Sequence, residues 1–374
     1  MKQWIKTHGS ELKMLVEELC RIPAPSGAER ARAEFCKNWL ERYGAKNVRI
    51  DAADNAILEL HAEDSRQLTV LMAHTDTVFP DTTPFSARHE DGRMLCPGVG
   101  DDTANLAALL MTARYLLEQG VRPKHGLLIA ANSGEEGLGN LRGCRQLMRD
   151  YEGRIARVIS FDGYYDRLWN RAVGSGRYEV TIRTRGGHSF RDFGTPNAIA
   201  LMAQLVSRLY AVKPDFAPAG STTTTYNVGT IQGGTSVNTV AQEASILYEY
   251  RSDSAEGLRG MEEIFRCIVA EWQGKGVDIE VVPLGVRPCE EHLDAAAQKA
   301  LSDRCEELLR RHTGKEIVVE SASTDCNIPL SKGIPAVSFG LCAGGGAHTR
   351  EEWIETASLE TGLAIALETA LGYC

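Results

Sequence analysis

The chain has 374 residues, with 41 Lys and Arg against 50 Asp and Glu and a formal net charge of −9. At 43% hydrophobic, 24% charged and 7% aromatic residues it lies in the ordinary globular range, which excludes collagenous and disordered chains. The acidic balance, with no Lys/Arg block interleaved with aromatics, argues against a nucleic-acid partner.

A single core stops growing above about 250–300 residues, so the length predicts two domains, or one domain interrupted by another. Met1 to Leu12 contains no apolar run or small-residue cleavage site and is not a signal peptide. The longest apolar stretch, Leu106 to Leu117, is broken by Thr112, Arg114 and Tyr115 and falls short of the roughly 20 residues of a membrane span. A cytoplasmic enzyme without membrane contact is expected. The ten cysteines form no C-x-x-C pair, so neither a disulfide framework nor a cysteine zinc site is indicated.

Leu12, Leu15, Val16 and Leu19, then Ala33, Phe35, Cys36 and Leu40, recur at helical spacing around a turn at Pro23 to Pro25, predicting two opening helices. Strand-like runs follow at Val48–Ile50, Ala56–Leu60 and Leu68–Met72, the last almost wholly apolar, as in a strand covered on both faces. A helix over Ala104–Glu118 separates it from further apolar strands at Gly126–Ala131 and Val158–Phe161. Alternating helices and buried strands predict a mixed α/β sheet whose ligands bind at the carboxyl ends of its strands.

Beyond Gly174 the pattern changes to half-exposed strands. Tyr178–Thr184, a helix Asn197–Tyr210, strands Thr225–Ile231 and Ser245–Arg251, a helix Ala255–Trp272 and a strand Val277–Val282 give a β-α-β-β-α-β order, the ferredoxin-like arrangement of an inserted module. A helix over Leu293–Arg311, a buried strand Ile334–Phe339 and a helix Leu359–Leu371 then resume the first domain. The expected boundaries are 1–174 and 289–374 for the catalytic domain and 175–288 for the insert.

The polar residues cluster at those strand ends. Leu71 to Asp76 is a buried strand stopping at His74, with Asp76 two residues on. By itself this also fits a histidine held by a nearby carboxylate in a loop. Asp101 and Asp102 meet a helix start, which a single capping carboxylate would satisfy. Ser133-Gly-Glu135-Glu136-Gly137 follows an apolar strand, Asp162 ends another, and His348 follows the last. Carboxylates converging on one place repel unless a cation compensates, and two divalent ions sharing a bridging carboxylate fit these N/O donors. One zinc would take His74, Asp101 and Asp162, and the other Asp101, Glu136 and His348, with a water between them as nucleophile. Glu135 would accept its proton as general base, and Asp76 would orient the His74 ring.

The motifs Ala73-His-Thr-Asp76, Gly98-Val-Gly-Asp-Asp102, Ser133-Gly-Glu-Glu136, Phe161-Asp162, Gly186-Gly-His-Ser189, Gly233-Gly-Thr-Ser-Val-Asn238 and Gly346-Ala-His348 run in order through nearly the whole chain. In them the sequence resembles the di-zinc hydrolase family of acetylornithine deacetylase, aminoacylase, carboxypeptidase G and peptidase T. The resemblance implies the ligand roles given above, a strained bond between Asp101 and Asp102, and an inserted domain that serves as lid and dimerisation surface. It further implies that His188 stabilises an oxyanion, reaching a neighbouring subunit's site, and that Asn238 and Arg251 bind a substrate carboxylate. Many relatives carry Lys after the Asp-Asp pair, where this chain has Thr103. Asp162 is aspartate, commoner in the aminopeptidases and dipeptidases of the family.

The expectation is therefore a mixed-sheet di-zinc peptidase domain with an inserted ferredoxin-like α+β lid, forming a homodimer through the lid. It would bind two Zn2+, with Co2+ or Mn2+ as alternatives, and cleave an amide bond in a small peptide. A deacylase of N-acyl amino acids, or a carboxypeptidase, is the alternative. A non-catalytic binding protein on this fold stands against the retention of Glu135 and the whole ligand set. Gly98-Val-Gly100 lacks the third glycine of a dinucleotide loop, and Gly174-Ser-Gly176 does not frame a serine nucleophile.

Overall fold

The computed structural model describes residues 1–63, 65–216 and 222–374, which fall into two compact units, Met1–Ala172 with Glu290–Cys374, and Val173–Cys289. The larger unit opens with helices α1 (Lys2–Cys20) and α2 (Arg30–Arg42) and strands β1 (Arg49–Ile50), β2 (Ala56–Leu60) and β3 (Leu68–His74). A short hairpin, β4 (Arg88–Glu90) and β5 (Arg93–Leu95), leads to α3 (Ala104–Glu118), β6 (Leu127–Asn132), α4 (Arg142–Asp150), β7 (Ile155–Phe161) and β8 (Arg167–Ala172). The smaller unit consists of β9 (Gly174–Arg183), β10 (Gly187–His188), α5 (Ala198–Tyr210), β11 (Thr224–Gly233), β12 (Thr239–Val240), β13 (Glu243–Ser252), α6 (Ala255–Gly274) and β14 (Asp278–Arg287). The larger unit then resumes with α7 (Ala295–Thr313), β15 (Val318–Ala322), α8 (Asn327–Ser331), β16 (Ala336–Phe339), β17 (Gly344–Gly345), β18 (Trp353–Glu355) and α9 (Ser358–Leu371).

The larger unit is built on an eight-stranded mixed sheet in the order β1-β2-β6-β3-β7-β16-β8-β15. Its centre is parallel: β3 pairs with β6 on one side and β7 on the other, and β7 pairs with β16. Every residue of β3 is buried, because helices cover both faces. The period of two sorts its side chains. Leu71 and Ala73 join the core formed with α1, α2, α3, α7 and α9, whereas Leu68, Val70 and Met72 face the core shared with α4 and α8. Each such Val or Leu contributes on the order of 1.5–3 kcal/mol by leaving water, so the centre of this sheet is a rigid base for whatever its ends carry.

The structure adds elements that the periodicity does not reveal. Strand β8 and the edge strand β15 beside it are only partly buried and carry Arg167, Asn170, Arg171 and Glu320 among their apolar residues, so neither alternates cleanly. Helix α4 follows the acidic turn at Glu135–Glu136, and the β4–β5 hairpin pairs with β18. The smaller unit is an antiparallel sheet in the order β11-β13-β9-β14, with α5 and α6 packed on it.

Candidate metal centre

Parallel pairing aligns the strand ends. His74, the last residue of β3, is in register with Asn132, the last of β6, and Met72 with Ser160 of β7, so Asp162 emerges beside them. Glu135 and Glu136 lie in the turn after β6 and Asp101 in the turn before α3. Three overlapping groups of donor atoms result, each within 4.8 Å: His74, Asp102 and Asp162; His74, Glu135 and Glu136; and Asp101, Glu136 and His348. The strand-end residues His74, Asp101, Glu136, Asp162 and His348 are thus brought together, with Asp76 and Glu135 among them.

Asp101 sits between the two histidines. Its Oδ1 is 3.1 Å from His74 Nε2 and its Oδ2 is 3.1 Å from His348 Nε2, and His348 Nε2 also lies 3.3 Å from Glu136 Oε1. Asp102 stands on the far side of His74, beside Asp162. It accepts the His74 backbone N–H at 2.7 Å and the Asn105 amide at 2.6 Å, and the Asp101–Asp102 peptide is cis.

Asp76 orients His74 in a way the sequence did not reveal. Its backbone carbonyl, at 3.1 Å, holds His74 Nδ1, while its carboxylate stands 3.5 Å from the same nitrogen. The carboxylate oxygens instead accept N–H groups from Glu135 (3.0 Å) and Glu136 (2.9 Å) and the Ser26 hydroxyl (2.7 Å). One buried carboxylate therefore fixes the turn carrying both glutamates against the strand end carrying His74.

The charge density shows in the titration of these groups. Burial pushes Glu136 up to about 7 and raises Asp162 and Asp102 strongly, each further raised by Asp101. Burial opposes protonation of His74, yet Asp102, Asp101 and Asp76 outweigh it and hold its pKa well above the usual imidazole value. Hydrogen bonds to Asp101 and Glu136 lift His348 to about 11. Asp76, against its own burial, is drawn down to about 2, first by His74. Acids that burial resists ionising, next to imidazoles that hold protons, are a donor set suited to divalent cations, which would replace those protons as the compensating charge.

Three side chains not singled out in the sequence build the loop under Asp101. Glu352 is fully buried, and its carboxylate accepts N–H groups from Gly98 (2.6 Å), Gly100 (3.0 Å) and Asp101 (2.8 Å) and the Tyr164 hydroxyl (3.3 Å). Burial and the nearby charge of Asp101 push its pKa up to about 8 against the pull of those donors. Gly98 has φ of +73°, and a Cβ there would fall 2.6 Å from Thr77 Cγ2, so the turn needs glycine. Asn105 donates to Asp102, Gly100 O and Gly163 O and accepts from Leu341 N. Arg32, 2% exposed, donates to the carbonyls of Leu19, Ile22 and Thr75 and reaches Thr103 Oγ1 at 3.4 Å. A buried cation from α2 thus stands against Thr103, the residue after the Asp-Asp pair. Glu352 lies four residues after His348, a spacing that would have flagged it; nothing in the pattern distinguishes Arg32 or Asn105.

The remaining expected residues lie in the smaller unit, where they do not form one cluster. Gly187–His188 pairs with Thr239–Val240, and Ser189 N donates to Asn238 O at 3.0 Å, so His188 and Asn238 are neighbours. His188 Nδ1 accepts from the Phe190 N–H at 3.2 Å, which leaves the proton of a neutral ring on Nε2. Arg251 pairs with Ser175 and Thr225 near the other end of the sheet, eight residues along β13 from Glu243, or about 26 Å in extended chain. Its guanidinium holds both oxygens of Glu249, each at 3.2 Å.

Comparison with known proteins agrees with this geometry. Residues 70–372 match the model of Peptidase family M20/M25/M40. A succinyl-diaminopimelate desuccinylase of Corynebacterium glutamicum is 25% identical over 346 residues, covering 91% of this chain and 90% of that protein. Among solved structures, aminopeptidase PepT from Bacillus cereus superposes with a TM-score of 0.70 at 21% identity, covering 96% of this chain and 97% of the other. A dinuclear metal-binding peptidase of the M20 family from Bacillus subtilis does so with 0.66 at 16% identity, covering 99% and 100%. The mixed sheet, the acid and histidine cluster at its strand ends and a family match spanning most of the sequence lead to one conclusion: the chain belongs to peptidase family M20/M25/M40 and is a metal-dependent hydrolase.

Proposed function

We propose that the chain binds two zinc ions, with cobalt or manganese as substitutes, and hydrolyses an amide bond in a small peptide as an aminopeptidase or dipeptidase. The observation that carries this reading is Asp101, which presents one oxygen to each histidine at 3.1 Å. His74 and Asp162 would hold one ion, Glu136 and His348 the other, and Asp101 both. When bound, such a pair activates water and polarises the scissile carbonyl.

The protein's own groups do the rest. Glu135, 6% exposed, takes the proton of the attacking water and delivers it to the leaving amine. Asp76 keeps that base in place by holding its backbone N–H. His188, with its proton on Nε2, donates to the developing oxyanion. Asn238 and Arg251 bind the substrate carboxylate, Arg251 exchanging Glu249 for it.

Arg251 lies eight residues, or about 26 Å of extended chain, along β13 from Glu243, whereas His188 sits in the β10–β12 ribbon beside Thr239, which speaks for two copies sharing one small substrate. This favours a homodimer in which His188 and Asn238 serve the neighbouring subunit. The outer edge of β11 has no partner strand among the described residues and offers a surface for pairing two copies.

Deacylation of N-acyl amino acids is the second reading, favoured by curated relatives named as succinyl-diaminopimelate desuccinylases. A panel of dipeptides and tripeptides beside N-acetyl and N-succinyl amino acids, assayed with the zinc-loaded protein, separates the two. The peptidase reading expects kcat/KM for the best peptide to exceed that for any N-acyl amino acid by about 100-fold or more. The reverse order favours the deacylase, and hydrolysis of neither class removes both.

A further inference from the structure

The amino ends of the same central strands carry charge of the opposite sign. A cavity of about 470 Å³ opens there beside Thr69 of β3, Arg157 of β7 and Arg304 of α7, with Lys124 and His125 completing its basic side. No Asp or Glu side chain lines it, in a chain with 50 acids against 41 bases, and the one carboxylate at its rim is the main-chain group of Cys374, which forms no ion pair with its arginines among the described residues.

Its two arginines share one aromatic ring. The guanidinium carbon of Arg157 lies 5.1 Å, and that of Arg304 4.5 Å, from the ring centre of Tyr373. Arg304 is packed so closely on Gly372 that a Cβ there would fall 1.8 Å from its Nη2, and Arg157 is steadied by a 3.1 Å hydrogen bond to Thr69 Oγ1. Among the described residues neither arginine, nor Lys124, forms an ion pair with a carboxylate. Like charges gathered at one ring lack their complement, which an incoming anion supplies.

Helix α7 makes the other wall. Ala297, Ala300, Leu301 and Arg304 lie at i, i+3, i+4 and i+7, so three apolar side chains and one guanidinium share a face of the helix. The cavity is therefore cationic at one end and apolar along one side, and its volume lies within the range of roughly 300–1,000 Å³ typical of small-molecule sites.

We propose that this cavity binds a phosphate monoester, its phosphate clasped by Arg157 and Arg304 and its organic body lying along Ala300 and Leu301. A guanidinium fork matches two phosphate oxygens at once, and several cations suit a dianion better than a single carboxylate. The site is separate from the metal centre. Thr69 and His74 are five residues apart on β3, as are Arg157 and Asp162 at β7, about 17 Å in extended chain.

The test is calorimetric titration of the metal-loaded protein with phenyl phosphate, inorganic phosphate and benzoate. Phenyl phosphate should bind most tightly, and Arg157→Gln/Arg304→Gln should weaken it by about tenfold or more while peptide hydrolysis without the probe stays within about twofold. Lys124→Gln, at an exposed position, should weaken it by about two- to fivefold, and Ala300→Phe should weaken phenyl phosphate more than inorganic phosphate. Undiminished binding in the double arginine variant that vanishes when the metals are stripped would assign the ligand to the metal centre and overturn the proposal. Absence of binding, or benzoate binding as tightly as phenyl phosphate, would overturn it as well.

Discussion

Glu352 holds Asp101 by its backbone: the buried carboxylate accepts the Asp101 N–H at 2.8 Å across 251 residues of sequence. The same group takes the N–H groups of Gly98 and Gly100, so one side chain sets the course of the turn that aims Asp101 between His74 and His348. Three N–H donors and a hydroxyl need two acceptor oxygens. Glu352→Gln keeps the volume but turns one oxygen into a donor facing an N–H. The expected result is a folded protein whose metal affinity, measured against a buffered zinc series, falls by about 10–100-fold. Wild-type affinity in this variant would show that the loop holds its shape without the carboxylate.

Metal uptake should release protons. Without metal at neutral pH, His348, with a pKa of about 11, and His74, also raised, both carry a proton, and Glu136, at about 7, is partly protonated. Cation binding needs neutral imidazoles and ionised carboxylates, so filling both positions should expel at least about two protons, with Glu136 and Asp162, both raised by burial, adding to the count. The sign follows: raised pKa values mean that protons compete harder as pH falls, and affinity should drop by about 100-fold per pH unit for two protons released. Titration of zinc into metal-free protein in buffers of different ionisation enthalpy counts the protons directly. A count near zero would mean that the histidines are not displaced from Asp101.

The centre of the fold and its strand-end residues were legible because both rest on local signals. Leu68 to His74 is an apolar run with a titratable residue at its end, which is how a strand covered on both faces delivers a side chain to a rim. The supporting layer was not legible, since Glu352 and Arg32 act on backbone groups of segments distant in sequence, and a backbone N–H leaves no trace in composition. Arg32 sits beside buried Cys36 and Trp39 on the apolar side of α2, where it reads as an interruption of the pattern. Strands β8 and β15 escaped because half-exposed strands need no strict alternation. Arg251 shows a third limit: motif spacing fixed its strand but not which end of the sheet it occupies relative to His188.

Arg32 and Thr103 should be coupled. The guanidinium of Arg32 serves three carbonyls and touches Thr103 Oγ1, all away from solvent. Arg32→Met leaves those carbonyls without donors and should cost on the order of 3–5 kcal/mol in urea unfolding, and Arg32→Lys should recover only part, since one ammonium cannot span the fork. Thr103→Lys places a second cation against Arg32 and should also destabilise. Combined with Arg32→Met, the new lysine should instead offset part of the loss, giving a coupling of about 1–3 kcal/mol. Strict additivity would mean that the two positions do not share one role.

Whether His188 serves its own subunit or its neighbour is decided by mixing variants. Glu135→Gln should keep its metals yet lose activity by about 100- to 10,000-fold, the usual worth of a positioned general base. His188→Ala lacks the donor to the oxyanion and should fall by about 100-fold or more. In a two-fold dimer with exchange in trans, a hybrid of the two has one site with neither lesion and one with both. Equal mixing makes about half of the dimers hybrids, each with one intact site in two, so activity should recover to about a quarter of wild type. Action within one subunit predicts no recovery at any mixing ratio, because every site then carries one lesion. The placement of His188 in the β10–β12 ribbon and of Arg251 near the other end of β13 favours the first outcome.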